Sequence, residues 1–345
     1  MKNILIVTSE SDIHADVVIK ELQQSTVQPI RLNSESFIQK SQYCYEWGAS
    51  GNPSQSWLSF TDSLREVEDV AVIWWRKPDD YLVSPELQDG WAIKYCQEET
   101  KSLIHSLSGL YPKAKWVNNY YNMRLPANRI NQIPIAQKLE ITIPPTIVTN
   151  SYKAARSFVS KQGSSIIKAM RYSGFLHDSK QYACYTRPID VETLEEFRES
   201  IPLAPVFIQK RIAKKAEYRV TIIGEHHFVC RIDAEHTNDS DVTLDWRVTE
   251  PEKLVHVPDK LPLDYIKKLE QMLDEFDLQF GAFDIIRDDD TLYFIELNPN
   301  GQWYWIEILT GMPMVRAMVE LIENLALQYQ SNNSSTDILK PSKTF

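Results

Sequence analysis

Gly281-Ala282-Phe283-Asp284-Ile285-Ile286-Arg287-Asp288-Asp289-Asp290-Thr291-Leu292-Tyr293-Phe294-Ile295-Glu296-Leu297-Asn298-Pro299-Asn300-Gly301-Gln302-Trp303-Tyr304-Trp305-Ile306-Glu307 is the stretch on which the reading of this chain turns. Two apolar runs flank three consecutive acids, the pattern of a hairpin whose turn centres near Asp290. Strand side chains alternate with a period of two, so Glu296 and Asn298 share a face. A hairpin symmetric about Asp290 sets Asp284 opposite Glu296, with Cβ atoms roughly 5 Å apart. Phe283, Ile285, Phe294 and Ile295 are apolar and mark a core hairpin. Two carboxylates side by side in a core repel unless a cation lies between them. Hard oxygen donors with one amide suit Mg²⁺, which keeps waters and takes substrate phosphates as its other ligands. Asp288, Asp289 and Asp290 read as turn residues rather than ligands. Trp303 and Trp305 alternate along the chain and are expected on one face, either in a core or walling a binding site.

Outward from this hairpin, the composition is that of a globular protein. The chain has 345 residues, which at roughly 100–200 per domain makes two or three domains. Lys and Arg number 37 against 47 Asp and Glu, a net charge of −10. That balance excludes nucleic acid as a general partner, because its backbone is bound by a surplus of cations. Cys44, Cys96, Cys184 and Cys230 form no CxxC pair, so neither a zinc site nor a disulfide framework is indicated. No GxGxxG and no GxxxxGK[ST] occurs, which excludes a Rossmann fingerprint and a P-loop. No run of about 18 apolar residues exists, so no membrane span is expected. The apolar stretch at Ile4–Val7 is too short for a signal peptide, and the chain reads as cytoplasmic. Seven histidines are present, none in a readable nucleophilic triad.

The first third alternates strand and helix. Strands are expected at Ile4–Val7, Gln28–Leu32, Val70–Trp75 and Lys115–Asn118, with helices at Asp12–Gln24 and 86–109. This pattern predicts an α/β domain with a mostly parallel sheet, spanning residues 1–122. The texture then changes to α+β. Asn128–Leu139 reads as a helix that Pro134 should kink or break. Strands follow at Ser164–Met170, Tyr182–Thr186 and Val206–Gln209, with a polar turn at Arg171–Lys180 and a short helix at Glu192–Ser200. Arg219–Ile223 and His227–Asp233 form a hairpin around Gly224, Leu263–Phe276 is an amphipathic helix, and Pro313 opens a last helix reaching Tyr329. Residues 123–205 are expected to be a central subdomain, 206–330 a C-terminal one, and 331–345 a disordered tail.

Asp284 with Glu296-Leu297-Asn298-Pro299 resembles the magnesium motif of the ATP-grasp ligases. Further landmarks come in that family's order: Asn128-Arg129 and Ile143-Pro144-Pro145-Thr146 at the start of the central domain, Ile166-Ile167-Lys168, Val206-Phe207-Ile208-Gln209-Lys210, and Glu217-Tyr218-Arg219-Val220. A closer likeness, to the microviridin-type (graspetide) peptide ligases, lies in Asn298 to Glu307, Arg31-Leu32-Asn33-Ser34-Glu35, Trp74-Trp75-Arg76-Lys77-Pro78 and Asp245-Trp246-Arg247. The resemblance implies an ATP-grasp fold behind an N-terminal α/β pre-ATP-grasp domain, with ATP and Mg²⁺ as cofactors. It implies Mg²⁺ on Asp284, Glu296 and Asn298. It implies adenine held at Gln209, Lys210, Arg211 and Ile212, ribose accepted by Glu217, and phosphates met by Arg129, Lys168 and Arg219. Arg129 stands where the family usually has a lysine. Arg231 and Arg247 are implied as catalytic, Arg247 on a nucleotide phosphate or the acyl phosphate, with Asp245 orienting it or the substrate, and Trp303, Trp305 and Glu307 near the substrate.

The implied reaction is activation of an Asp or Glu side chain of a ribosomal precursor peptide as an acyl phosphate. An ω-ester to Ser or Thr, or an ω-amide to Lys, then closes a ring. Phosphoryl transfer of this kind depends on positioning and charge neutralisation more than on acid–base work. The peptide partner would carry a leader, docking at the lid hairpin and residues 191–200, and a core rich in acids and hydroxyls. Residues 171–181 are the expected lid. A homodimer is the default assembly. Two other readings share the nucleotide residues: a ligase joining free amino acids or extending a protein tail with glutamate, and a non-catalytic ATP-binding regulator.

Overall fold

The computed structural model describes residues 1–48, 53–60, 66–67, 69–170, 174–177, 180–183, 186–234 and 254–329. The chain divides into two compact units, Met1–Tyr120 with Val315–Phe345, and Tyr121–Met314.

The first unit opens with β1 (Lys2–Thr8), α1 (Ile13–Leu22) and β2 (Val27–Asn33). Next come α2 (Phe37–Lys40), β3 (Ser41–Trp47), β4 (Pro53–Phe60), β5 (Glu66–Val67), β6 (Val72–Trp75), α3 (Gly90–His105), α4 (Leu107–Leu110) and β7 (Lys115–Val117). The sheet runs β2-β1-β6-β7 and all its pairs are parallel, as the alternation predicts. Ile4–Val7, Val72 and Ile73 are fully buried, the signature of strands covered on both faces. β3, β4 and β5 make a separate antiparallel sheet that the apolar periodicity did not reveal. The helix expected over 86–109 begins only at Gly90, where Asp89 caps it by accepting from the Trp91 amide, and breaks at Ser106.

Asp12 caps α1 at the carboxyl end of β1, accepting from the Thr8 hydroxyl at 2.6 Å and lying 3.6 Å from the Arg76 guanidinium. Burial alone would raise its pKa. Hydrogen bonding with His14, the Arg76 charge and the Thr8 hydroxyl outweigh burial and hold the carboxyl down at about 2.

The helix α5 (Tyr120–Arg124) leads into α6 (Arg129–Lys138), β8 (Thr146–Thr149), α7 (Tyr152–Gln162) and β9 (Ser165–Lys168). They are followed by β10 (Gly174–His177), β11 (Lys180–Ala183), β12 (Arg187–Ile189), α8 (Val191–Glu196) and β13 (Val206–Lys210). Four of these strands form an antiparallel sheet, β12-β9-β13-β8. α7 and α8 cover it, packing Ala155, Val159 and Leu194 into one core cluster with Ile208 of β13. Pro134 does not break α6. It and Ile130, whose carbonyl loses its helical donor, are both exposed, where water can take the donor's place. The strand expected over 182–186 is shifted to β11, which pairs with β10 as a hairpin in place of the expected polar turn. Part of that expected lid, residues 171–173 and 178–179, lies outside the described residues.

The last strands are β14 (Ala216–Ile223), β15 (His226–Ala234), β16 (Leu254–Pro258), β17 (Phe280–Arg287) and β18 (Leu292–Asn298), with α9 (Leu263–Glu275), α10 (Tyr304–Thr310) and α11 (Met314–Gln328). They form an antiparallel sheet, β16-β15-β14-β17-β18. α9 buries Ile266, Leu269, Met272 and Leu273. A Cβ on Gly281 would lie 2.5 Å from Leu273 Cδ2, so the helix packs this closely only over glycine. Among the described residues no helix is long and apolar enough to cross a membrane.

Candidate active site

Asp284 pairs with Glu296 in the register of β17 and β18, the pair expected from the sequence. The route differs. Nearer the turn, Ile285, Ile286 and Arg287 pair with Phe294, Tyr293 and Leu292, and the register shifts by one between Asp284 and Ile285. Ile295 is the extra residue of a β-bulge, and without it Asp284 would face Ile295. At the turn, Asp288 accepts from the Thr291 amide at 3.2 Å, the bland role expected of that acid.

β14 lies beside β17 and puts Glu217 and Arg219 on the same face as Asp284, because directly paired residues share a face. Arg219 donates to Asp284 Oδ1 at 2.7 Å and to the Gln302 carbonyl at 3.3 Å. A Cβ on Gly301 would meet that guanidinium at 2.7 Å and Ala282 Cβ at 2.6 Å, so glycine lets the loop after β18 close over Arg219. Asn298 donates its amide to Glu296 Oε1 at 3.1 Å. Arg129, at the start of α6, forms an ion pair with Glu296 and donates to the Ala169 carbonyl. Burial pushes the Asp284 carboxyl up to about 6; Arg219 pulls it down and the neighbouring Glu296 adds to the rise. Two neighbouring carboxylates with a carboxamide beside them are a donor set that fits a hard dication. Among the described residues no cluster of three or more His, Cys, Asp or Glu side chains could hold a metal. The set here is two carboxylates and an amide.

A cleft opens on this face. One wall is Ile166, Lys168, Gln209, Lys210 and Ile212, and the other is Glu217, Asp284, Ile286, Ile295 and Glu296, with Arg129, Pro144 and Thr186 completing it. Ile166, Ile286 and Ile295 make up much of the apolar part of its lining. Gln209 is buried, donates to Thr146 Oγ1 at 2.9 Å, and ends β13 beside Lys210. The Lys210 amide donates to the Pro145 carbonyl, and the Arg211 amide donates to the Ser164 carbonyl. The Lys168 ammonium lies 5.4 Å from the Phe207 ring centroid. Glu217 accepts from Lys214.

The structure thus brings together Arg129, Lys168, Gln209, Lys210, Ile212, Glu217, Asp284 and Glu296, with Arg219 and Asn298 behind the carboxylates. It does not bring Arg231 there. Arg231 pairs with Tyr218, on the opposite face of the sheet from Arg219, and is held by Asp233 at 2.9 Å and Asp259 at 3.1 Å. Trp303 and Trp305 do not share a face, because α10 starts at Tyr304 and residues two apart on a helix point apart. Trp303 is buried in the core, and Trp305 packs edge-on against His256 at 5.1 Å. Glu307 lies on α10 and does not line the cleft. Arg247 and Asp245 lie outside the described residues.

Sequence reasoning missed Gln132. Buried on α6, it donates to the carbonyls of Pro126 at 2.6 Å and Leu297 at 2.8 Å, and accepts from the Leu297 amide at 2.9 Å. β18 is an edge strand, and Gln132 supplies the hydrogen bonds that a further strand would have made. It therefore seats Arg129 over Glu296. The one signal was its helical spacing from Ala136, which marks the buried face of α6.

Residues 3–124 match the MvdD pre-ATP grasp domain. No curated protein matches the chain by sequence. Among solved structures it resembles a RiPP-associated ATP-grasp ligase of Chryseobacterium gregarium in complex with ADP and a leader and core peptide. That match has a TM-score of 0.84 and 24% identity, over 94% of this chain and 97% of the other. The macrocyclase MdnC of Microcystis aeruginosa MRC, bound with its precursor peptide MdnA, matches with a TM-score of 0.79 and 23% identity, over 93% and 99% of the two chains. The ATP-grasp ligase PsnB, complexed with minimal precursor, Mg and ADP, matches with a TM-score of 0.72 and 17% identity, over 94% and 97%. The chain therefore carries an MvdD pre-ATP grasp domain, and its fold is that of the RiPP-associated ATP-grasp ligases.

Proposed function

We propose that this chain is an ATP-dependent peptide ligase. It activates an Asp or Glu side chain of a ribosomal precursor peptide as an acyl phosphate and closes a ring with a Ser or Thr hydroxyl, or with a Lys amine. The observation that carries this reading is the pairing of Asp284 with Glu296 at one end of a cleft whose other end is the Gln209–Ile212 hinge. Backbone groups of the hinge hold adenine between Ile166 and the Ile286–Ile295 side. Glu217 accepts from the ribose hydroxyls. Lys168 and Arg129 face the phosphates, Arg129 presenting the planar fork that suits an oxyanion, and Arg219 adds a third positive charge from behind Asp284. Asp284, Glu296 and Asn298 would hold Mg²⁺, which when bound neutralises charge on the transferring phosphate. Residues 123–205 and 206–330 act as the two halves that clasp the nucleotide. The partner peptide brings a leader and a core rich in acids and hydroxyls. The protein works in the cytoplasm as a homodimer, with neither nucleic acid nor membrane as partner.

The test is peptide-dependent ATP turnover. With ATP, Mg²⁺ and the precursor encoded beside its gene, ADP release should rise on adding peptide and vanish in Glu296→Gln. ADP release driven instead by free amino acids would identify an amino-acid ligase. Nucleotide binding without turnover under either condition would identify a regulator.

A further inference from the structure

Among the described residues, the two sheets of the first unit have edges at β2, β7, β3 and β5. Three of them are guarded. β2 carries Pro29 and Arg31, β7 is three residues long and opens with Lys115, and β5 is two residues long. Proline, charge and shortness are the devices that keep an edge from pairing with another chain. β3 lacks them. It is seven residues long, and its sequence, Ser-Gln-Tyr-Cys-Tyr-Glu-Trp, holds no proline, glycine or lysine and a single acid near its end. Among the described residues β4 is its one strand partner.

This edge also carries an aromatic ladder. Tyr43, Tyr45 and Trp47 alternate along β3 and so share a face. They stack outward from buried Phe37, with successive ring centroids 5.7, 6.3 and 6.3 Å apart. The Tyr45 and Tyr111 hydroxyls hydrogen-bond at 3.1 Å and fix the middle rung. Tyr43 is 42% and Trp47 56% exposed, so the ladder ends in water and not in the core. Aromatic rings held in place before contact lose little entropy on burial, which suits them to an interface.

We infer that β3 pairs antiparallel with β3 of a second copy of this chain, about a twofold axis normal to the sheet at Cys44. This rests on the homodimer reading and supplies its interface. The occupant follows from the strand's own symmetry. A twofold interface must be self-complementary. Cys44 is the middle residue of Ser41–Trp47, so this axis alone lets all seven residues pair. Cys44 then faces itself, Tyr43 faces the second copy's Tyr45, Gln42 faces its Glu46, and Ser41 faces its Trp47. Directly opposed residues of an antiparallel pair point to the same side, so the two ladders join into one aromatic layer. Glu46 meets an amide and not its own kind. Moving the axis to Tyr43 or Tyr45 leaves two residues of each strand unpaired, and moving it to Glu46 sets that acid against itself. An extended segment of a peptide partner would also add to such an edge, but it would not require the strand to match itself.

Two measurements test this. Opposed residues of an antiparallel pair have Cα atoms about 4.5–5.5 Å apart, within the span of a disulfide. In a Cys96→Ser, Cys184→Ser background, Cys44 and the buried Cys230 remain. Mild oxidation should then join two chains, and Cys44→Ser should abolish the product. The dimer dissociation constant, from sedimentation, tests the register. Gln42→Glu opposes like charges at two symmetric places and should raise it by about fivefold or more. Gln42→Lys should lower it, and Gln42→Glu with Glu46→Lys should restore it. Gln42 is exposed, and thermal melting checks that each variant is folded. If a charge variant does not fold, the cross-link decides. A wild-type protein that sediments as a monomer ends the homodimer reading and the inference together. A wild-type dimer that Cys44 does not join, or whose affinity ignores the charge at residue 42, overturns the inference alone. A cross-link displaced by added precursor peptide would make β3 a peptide-docking strand, and overturns it as well.

Discussion

Replacing Gln132 with leucine removes the clamp between α6 and the edge of β18 without adding bulk. Three hydrogen bonds disappear: the two that its amide donates to Pro126 and Leu297, and the one it accepts from the Leu297 amide. A typical protein hydrogen bond contributes about 1 kcal/mol net, but a buried group left unsatisfied costs about 1–3 kcal/mol. The Leu297 amide and carbonyl are both stranded, so Gln132→Leu should destabilise the Tyr121–Met314 unit by about 2–4 kcal/mol. With a urea m-value of about 1–3 kcal/mol/M, the midpoint of tryptophan-monitored unfolding should fall by about 1 M. Gln137→Leu, at an exposed position on the same helix, should stay within about 0.5 kcal/mol and controls for helix propensity. A Gln132→Leu protein that melts with the wild type would show that the edge of β18 is satisfied some other way, and that Arg129 owes its place to something else.

Other consequences follow from the charge pairs. Asp12 is held at about 2, below its unfolded value near 3.9, so its stabilisation is complete above about pH 4 and is lost as pH falls toward 2. Asp12→Asn should be less stable than the wild type at neutral pH and lose much less between pH 4 and 2; parallel pH profiles would argue against the cluster. Arg129 holds Glu296 and Arg219 holds Asp284, so a dication must compete with two guanidinium groups. Mn²⁺ should bind weakly without nucleotide, and Arg129→Gln should tighten that nucleotide-independent binding by at least about tenfold. Calorimetry showing equal affinity in the two proteins would contradict this competition.

The acidic end of the site was legible because it lies on strands, where a period of two assigns faces from the chain alone. Glu296 with Asn298 is such a pair, whereas Lys168, Glu217 and Arg219 were reached through the resemblance to the ATP-grasp ligases. The match of Asp284 to Glu296 was reached by counting about a single centre. The molecule instead combines a four-residue turn with a bulge at Ile295, and the two offsets cancel. The same period misled where it was carried past Asn298, because α10 takes over and sends Trp303 and Trp305 apart. α7 was missed because few of its residues, Ala155 and Val159 among them, are buried, leaving a weak stripe. Arg231 and Gln132 were beyond reach for another reason. Which face a strand residue takes relative to its neighbours, and what an edge strand uses in place of a partner, are set by pairing across the fold and not by spacing within a segment.

The central claim is that the energy of ATP closes a bond within a peptide. Intact mass measurement of the precursor peptide, before and after incubation with this protein, ATP and Mg²⁺, tests it most directly. The account predicts loss of one water mass per ring, dependent on ATP and absent with Glu296→Gln. An unchanged peptide mass while ATP is consumed, or a gain equal to an added amino acid, would contradict it.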